Sequence, residues 1–323
     1  MEITVIVPAY NSARDLSECL AALRASTVPP AEVLVVDDAS TDDTAAVAAA
    51  REVRVLRLTA NAGPAAARNR GAAAARGDVL FFVDADVVVA PDAVARVTRT
   101  LEETAGVAAV FGSYDTRPRA PGLVSQFRNL LHHFVHQHGE ADASTFWAGC
   151  GAVRRTAFEA VGGFDEQPTR RFIEDIELGY RLRGVGFRIR LDHDLQCTHL
   201  KRWTLWSMLR TDLVHRAVPW ARLIAETRTA PADLNLRGEH RASVALVGVA
   251  GVALLLAIGP PSLAAVAVAA ILAVAALNRE LYRFLRRERG FAFALACFPL
   301  HLLHFACSGL GFVYAHSGRR TRA

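Results

Sequence analysis

Two carboxylates one residue apart, Asp84 and Asp86, close an apolar run over residues 78–89. In an extended segment residues i and i+2 point the same way. Side chains so placed can face one hard divalent cation, which takes oxygen ligands and keeps room for substrate phosphates. A strand end followed by a solvated turn would have the same composition, so the pair gains meaning from its neighbours. A second acidic group, Glu174, Asp175 and Glu177, opens a helical pattern after Phe172 and Ile173. A carboxylate at a helix start can take a proton from an attacking hydroxyl, and the helix dipole favours the charged form that a base requires. An acidic first turn is also ordinary in helices with no catalytic part. Asp37 and Asp38 end another apolar run. They can accept hydrogen bonds from a nucleobase and ribose hydroxyls, or cap a helix starting near Thr41. Together these groups suit chemistry in which a phosphate-linked group departs while a divalent cation neutralises the developing charge.

The elements that must position them alternate. Residues 3–10, 31–38, 53–59, 79–86 and 107–114 are short apolar runs. Their continuous rather than alternating apolar character predicts strands covered on both faces, as in a parallel sheet. Between them, residues 12–25, 41–50, 64–75 and 91–104 are alanine-rich and open with Ser, Thr or Pro, as helix N-termini do. The pattern predicts an α/β fold with an open, mostly parallel Rossmann-like sheet. In such sheets ligands bind beyond the carboxyl ends of the strands. Tyr10 with Asn11, Asp37 with Asp38, and Asp84 with Asp86 all fall there. Further on, 146–153 and 187–191 read as strands and 174–183 as a helix.

Charge is unevenly spread over the 323 residues: net −5 over 1–200, +4 over 201–241 and +6 over 242–323. The basic balance of the last third suits a membrane surface. The first 200 residues hold no basic stripe interleaved with aromatics, so nucleic acid is not expected as a partner. Cys19, Cys150, Cys197, Cys297 and Cys307 show neither metal-type pairing nor a disulfide framework, and read as small buried residues in a reducing compartment. The N-terminus opens directly into a strand pattern, so no cleavable signal peptide is expected.

Residues 203–225 mix apolar and basic side chains with Trp203, Trp206 and Trp220, as either an interfacial amphipathic segment or a packed surface helix would. Residues 242–277 contain no charged side chain. Pro260 and Pro261 divide them into two halves, each slightly short of the about 20 residues of a full crossing. A helical hairpin turning at the prolines is expected, then five arginines within 278–289, then a third apolar segment over 290–318. The flanking arginines place both ends of the hairpin on the cytoplasmic side. The tail Arg319, Arg320 and Arg322 argues against a simple third crossing, and Pro299, His301 and His304 interrupt that segment, which could be re-entrant. Three regions result: a catalytic domain over 1–200, an interfacial segment over 201–241 and a transmembrane helical region over 242–323.

These motifs in this order resemble the family 2 glycosyltransferases, inverting enzymes of the glycosyltransferase A fold. The resemblance is carried by VIVPAYNS at 5–12, LVVDDASTDDT at 34–44, NAGPAAARNRG at 61–71, the Asp84–Asp86 pair, GCGAVRR at 149–155 with VGGFDE at 161–166, and Glu174-Asp175. It implies that Pro8, Tyr10, Asp37 and Asp38 line the base and ribose pocket, with Arg68 assisting. Asp84 and Asp86 would meet the diphosphate through Mg2+ or Mn2+. Asp175, beside Glu174, would deprotonate the acceptor hydroxyl in a single inverting displacement. Processive members carry a Gln-x-x-Arg-Trp motif; here Arg202 and Trp203 fit it but His199 stands at the Gln position. His199 could contact the diphosphate or metal, or simply end a strand. The departure, with the lack of several N-terminal spans, favours transfer of one sugar over polymerisation. The implied protein is a multi-pass enzyme of the cytoplasmic membrane, its catalytic domain facing the cytoplasm. It would use a nucleotide-sugar donor and a lipid or cell-envelope glycan acceptor. A polyprenyl-phosphate sugar transferase, with Arg154, Arg155, Arg170 and Arg171 near the acceptor phosphate, or a processive polysaccharide synthase are the alternatives.

Overall fold

The computed structural model describes residues 1–228, 231, 233–256 and 262–317. The chain divides into two compact units, one of residues 1–120 and 136–201, the other of residues 121–135 and 202–323.

In the first unit the valine-rich runs become strands β1 (Ile3–Ala9), β2 (Glu32–Asp37), β3 (Arg54–Arg57), β4 (Val79–Val83), β5 (Val87–Val89) and β6 (Val107–Tyr114), followed by β7 (Asp142–Ala143), β8 (Cys150–Arg154) and β9 (Arg188–His199). They form one sheet in the order β3-β2-β1-β4-β8-β6-β9-β5, with β7 paired to β9. β3, β2, β1 and β4 are mutually parallel. β8 enters antiparallel between β4 and β6, and β6 and β9 are parallel again. All five residues of β4 are buried, as a strand covered on both faces must be.

Helices α1 (Ala13–Arg24), α2 (Thr44–Ala49), α3 (Pro64–Ala74) and α4 (Ala93–Glu103) follow the first strands. Leu16, Leu20 and Leu23 of α1 and Val94, Val97 and Leu101 of α4 share a core with Val5, Val7, Val79 and Phe81. Each such aliphatic side chain, fully buried, contributes about 1.5–3 kcal/mol. The remaining helices are α5 (Leu123–Gln137), α6 (Arg155–Ala160), α7 (Glu174–Gly184), α8 (Leu205–Arg210), α9 (Val218–Thr227), α10 (Gly238–Leu256), α11 (Ser262–Leu277), α12 (Arg279–Arg289) and α13 (Phe291–Ser317).

Four expected element bounds in the first unit are corrected. The strand expected over 79–86 stops at Val83. Ala85 and Asp86 lie in a turn closed by the Val87 N–H donating to the Asp84 carbonyl at 3.0 Å. The helix expected from Thr41 starts at Thr44, because Asp42 folds back and its carboxylate accepts from the Thr44 N–H at 3.0 Å. The strand expected over 187–191 runs to His199, since β6 and β5 supply partners along its length. The strand expected over 146–153 covers only 150–154.

In the second unit, α10 and α13 are the two described helices long and apolar enough to cross a membrane. α11 and α12 pass the same test only as a pair bent by 66°. The bend falls at Asn278, whose amide donates to the Val274 carbonyl and to Ser243 Oγ, both at 2.8 Å. The arginines of 278–289 lie on α12, whose Leu281 and Leu285 are buried with Phe127, Leu130, Met208 and Cys297. α13 continues unbroken through Pro299, so the expected interruption there is absent. His301 and His304 are accommodated by polar partners, Tyr282 Oη and Asp212 Oδ2, each at 2.9 Å. The Pro260–Pro261 turn and the arginine tail at 319–322 lie outside the described residues. All five cysteines are buried free thiols.

Candidate active site

Because β2, β1 and β4 are adjacent and parallel, their carboxyl ends open onto one edge of the sheet. β1 leaves into Tyr10, 48% exposed, while Pro8 is partly buried. The Asn11 N–H donates to Ser40 Oγ, and Asn11 Oδ1 accepts from the Thr41 N–H, both at 2.9 Å, tying the exits of β1 and β2 together. Asp37 is fully buried. Its Oδ1 accepts from the Ser40 N–H at 3.0 Å, and its Oδ2 lies 3.3 Å from Arg57. The Asp38 carboxylate accepts the N–H groups of Ala62 and Gly63, both at 2.8 Å. Neither aspartate caps α2. Asp38 instead fixes the turn into α3, where Gly63 takes a φ of 92° that a residue with a Cβ rarely adopts.

Asp84 and Asp86 sit on the turn between β4 and β5, so the extended geometry that would align them does not apply. The two partly buried carboxylates instead diverge to different partners. Asp84 Oδ1 accepts from Arg68 at 2.7 Å. Asp86 Oδ2 lies 3.5 Å from His199 Nε2. The register sets this second contact: Val87 pairs with His199, and the Leu200 N–H donates to the Asp86 carbonyl at 2.9 Å.

Glu174 and Asp175 open α7. The helix is drawn in by Gly179, where a Cβ would stand 2.5 Å from the Phe146 nitrogen, so only glycine permits this approach. The Arg181 guanidinium, paired with Glu177 at 2.6 Å, donates to the Gly163 carbonyl at 2.6 Å and anchors the same helix. Asp175 Oδ2 accepts from the Ala148 N–H at 3.3 Å, and Asp84 is tied to the next residue through its N–H and the Gly149 carbonyl at 3.1 Å. Glu174, 4% exposed, accepts from Arg68 at 2.7 Å. Arg68 thus touches the β4 turn and the first residue of α7 at once, and the two acidic groups that are 90 residues apart in sequence meet.

The electrostatics follow. Burial pushes the Asp84 carboxyl up, Arg68 opposes this, and the repulsion of Asp86 leaves it above its ordinary value. Burial acts on Asp86 too, but the His199 imidazole and Lys201 outweigh it and hold that carboxyl low. Burial alone would lower the Arg68 guanidinium; Asp84, Glu174 and Asp175 raise it instead. Three carboxylates, Asp84, Glu174 and Asp175, therefore act on one guanidinium, with Asp86 adding its charge beside Asp84, an excess of negative charge that suits a divalent cation. Among the described residues no three His, Cys, Asp or Glu side chains are grouped so as to hold a metal by themselves. Asp84 and Asp86 offer hard oxygen donors and leave coordination to be completed by substrate oxygens, as for Mg2+ or Mn2+.

His199 is 6% exposed and stacks on Tyr114, which itself meets Trp147 edge-on at 4.9 Å. Motif spacing does not expose this aromatic support, although Tyr114 ends an expected strand. Arg202 and Trp203 belong to the second unit, where the Trp203 N–H donates to Ser125 Oγ at 2.8 Å and its ring lies 5.3 Å from the Arg128 guanidinium. Arg154 and Arg155 spend their guanidiniums on backbone carbonyls, among them Val107 and Gly77. Arg170 lies 3.7 Å from Asp165, and Arg171 rests on the Phe172 ring at 5.4 Å.

Residues 4–162, which hold the first strands and the Asp84–Asp86 turn, match the family described as Glycosyl transferase family 2. The chain carries a glycosyltransferase family 2 domain. It is 32% identical over 220 residues to validoxylamine A glucosyltransferase of Streptomyces hygroscopicus subsp. limoneus, covering 57% of this chain and 48% of that protein. It is 30% identical over 228 residues to the pre-mycofactocin glycosyltransferase of Mycobacterium tuberculosis, covering 62% and 44%. The chain thus spans about half the length of these relatives or less. A mannosyltransferase from Pyrobaculum calidifontis, solved with GDP-Man and Mn2+, superimposes with a TM-score of 0.60 at 23% identity, covering 96% of this chain and 87% of that one. At that identity the likeness establishes the fold, the glycosyltransferase A architecture expected for the family 2 domain.

Proposed function

We propose that the protein is a membrane-anchored inverting glycosyltransferase that moves one sugar from a nucleotide-diphosphate sugar to a hydroxyl of a lipid or cell-envelope acceptor. The observation that carries the reading is the meeting of Asp84, Glu174 and Asp175 around Arg68, with Asp86 beside Asp84, at the carboxyl ends of parallel strands. The donors bound by neighbouring structures, GDP-Man and UDP-GlcNAc, support a nucleotide-sugar substrate.

Asp84 and Asp86 would hold Mg2+ or Mn2+, which when bound neutralises charge on the departing diphosphate. Pro8, Tyr10, Asp37 and Asp38 line the edge where the nucleoside would lie. Asp175 takes the proton of the acceptor hydroxyl; the freed oxygen bonds to the anomeric carbon from the side opposite the leaving group. The carbon–oxygen bond to the diphosphate breaks, and the electron pair leaves with the nucleoside diphosphate. One displacement inverts the centre. Asp175 stands in the first turn of α7, where the helix dipole favours negative charge.

An acceptor phosphate would call for spare cations near the rim. Arg154 and Arg155 are committed to backbone carbonyls, which leaves Arg170 and Arg171 as the cations that a polyprenyl-phosphate acceptor would have to use. α10 and α13 suit membrane anchorage, and the basic α12 suits the cytoplasmic side. Membranes containing the protein, given a panel of labelled nucleotide sugars, are expected to yield label in the organic phase or in an envelope glycan only with Mg2+ or Mn2+ present. Equal incorporation in excess EDTA would reject the cation, and none from any nucleotide sugar would reject the activity.

A further inference from the structure

We propose that Arg68 is a positioning residue. Its single guanidinium holds the cation-facing Asp84 and the base-bearing helix α7 in mutual register and sets the charge that the cation meets. The inference rests on the reading above, and the resemblance implies a different part for this residue, assistance in nucleotide binding.

Arg68 is 5% exposed, on a helix that runs between β3 and β4. Its two terminal nitrogens reach different elements: Nη2 lies 2.7 Å from Asp84 Oδ1 and Nη1 lies 2.7 Å from Glu174 Oε1. The guanidinium carbon lies 5.5 Å from the centre of the Phe164 ring, which packs edge-on against Phe82 of β4. A planar fork can make both contacts at once; an ammonium cannot reproduce them in the same plane. Glu174 is 4% exposed, so it serves through its contact with Arg68 and not as a proton acceptor open to substrate. Asp175, the next residue, inherits its place from that contact.

The same guanidinium is the positive charge nearest Asp84, and a cation on Asp84 and Asp86 would be repelled by it. Two effects of removing it therefore oppose each other. Cation affinity rises because one positive charge is gone, while turnover falls because Asp84 and α7 are no longer tied. A residue that only supported the fold would weaken both.

The test uses the full-length protein in detergent, with Mn2+ binding read by electron paramagnetic resonance, turnover by product formation and integrity by thermal unfolding. Arg68→Met is expected to bind Mn2+ roughly 5- to 20-fold more tightly and to turn over roughly 100-fold more slowly. Arg68→Lys keeps the charge and loses the fork. Mn2+ affinity is expected to stay within about 3-fold of the parent, with turnover down about 10-fold or more. Unchanged turnover in Arg68→Lys, or weaker Mn2+ binding in a folded Arg68→Met, would overturn the proposal. If Arg68→Met does not fold, Arg68→Lys decides alone. A parent protein that neither binds Mn2+ nor uses any nucleotide sugar would instead overturn the reading on which this one rests.

Discussion

The His199 ring lies flat on Tyr114, with centroids 4.3 Å apart and planes 10° from parallel. The stack fixes the imidazole whose Nε2 stands 3.5 Å from Asp86, so an aromatic residue at the end of β6 supports a carboxylate after β4. Tyr114→Leu keeps most of the volume and removes the stack. Turnover is expected to fall about 10-fold, equivalent to about 1.4 kcal/mol of transition-state stabilisation. Steady-state kinetics with a nucleotide sugar checks this, and a rate within twofold of the parent would detach His199 from the chemistry.

Gly179 gives a separate handle on the proposed base, Asp175. A methyl group there would stand 2.5 Å from the Phe146 nitrogen and 2.7 Å from Thr145 backbone atoms, so α7 has to move outward. Gly179→Ala is expected to cost about 1–3 kcal/mol of stability through overpacking. kcat should fall more than donor KM rises, because Asp175 shifts while the nucleotide edge is untouched. Chemical unfolding and kinetics on one preparation read both effects.

Asp212 makes a prediction about the second unit alone. It is 3% exposed, 3.0 Å from Arg128 and 2.9 Å from His304. Burial would raise its carboxyl, but Arg128 and then His304 outweigh burial and hold it well below the usual range. A depressed carboxyl contributes stability that is present above its unfolded value, about 3.9, and lost as pH falls through the folded one. Thermal unfolding in detergent should therefore show its contribution intact at neutral pH and fading only below about pH 4. Asp212→Asn removes the carboxylate that faces Arg128 and His304, at a cost of about 1–3 kcal/mol at pH 7. An unchanged midpoint would mean that water reaches this pair.

The parallel half of the sheet is legible in sequence because β1, β2 and β4 are buried on both faces and read as unbroken apolar runs. The rim residues follow from it, since Tyr10, Asp37 and Asp84 each end such a run. Composition could not reveal the turn at Asp84–Asp86. The apolar run continues straight through it into Val87, and only the pairing of β5 with β9 shows that the chain has changed direction. The long β9 is hidden because Asp192, His193 and Asp194 interrupt its pattern, the first two on partly exposed positions and the third exposed. Helix α5 opens after Pro121 and Gly122 without the Ser, Thr or Asp start signals of its neighbours. Arg68 is visible as a motif residue, but its two carboxylate partners belong to segments 16 and 106 residues away, a pairing that no local pattern encodes.

The account depends on Asp175 as the proton acceptor beside a cation held by Asp84 and Asp86. Its most direct test compares Asp175→Asn with Asp86→Ala in calorimetry and turnover of the same nucleotide sugar. Asp175→Asn is expected to keep Mn2+-dependent donor binding within about 3-fold while turnover falls at least about 100-fold. Asp86→Ala is expected to lose the Mn2+-dependent part of donor binding together with turnover. Parental turnover in folded Asp175→Asn would contradict the account outright.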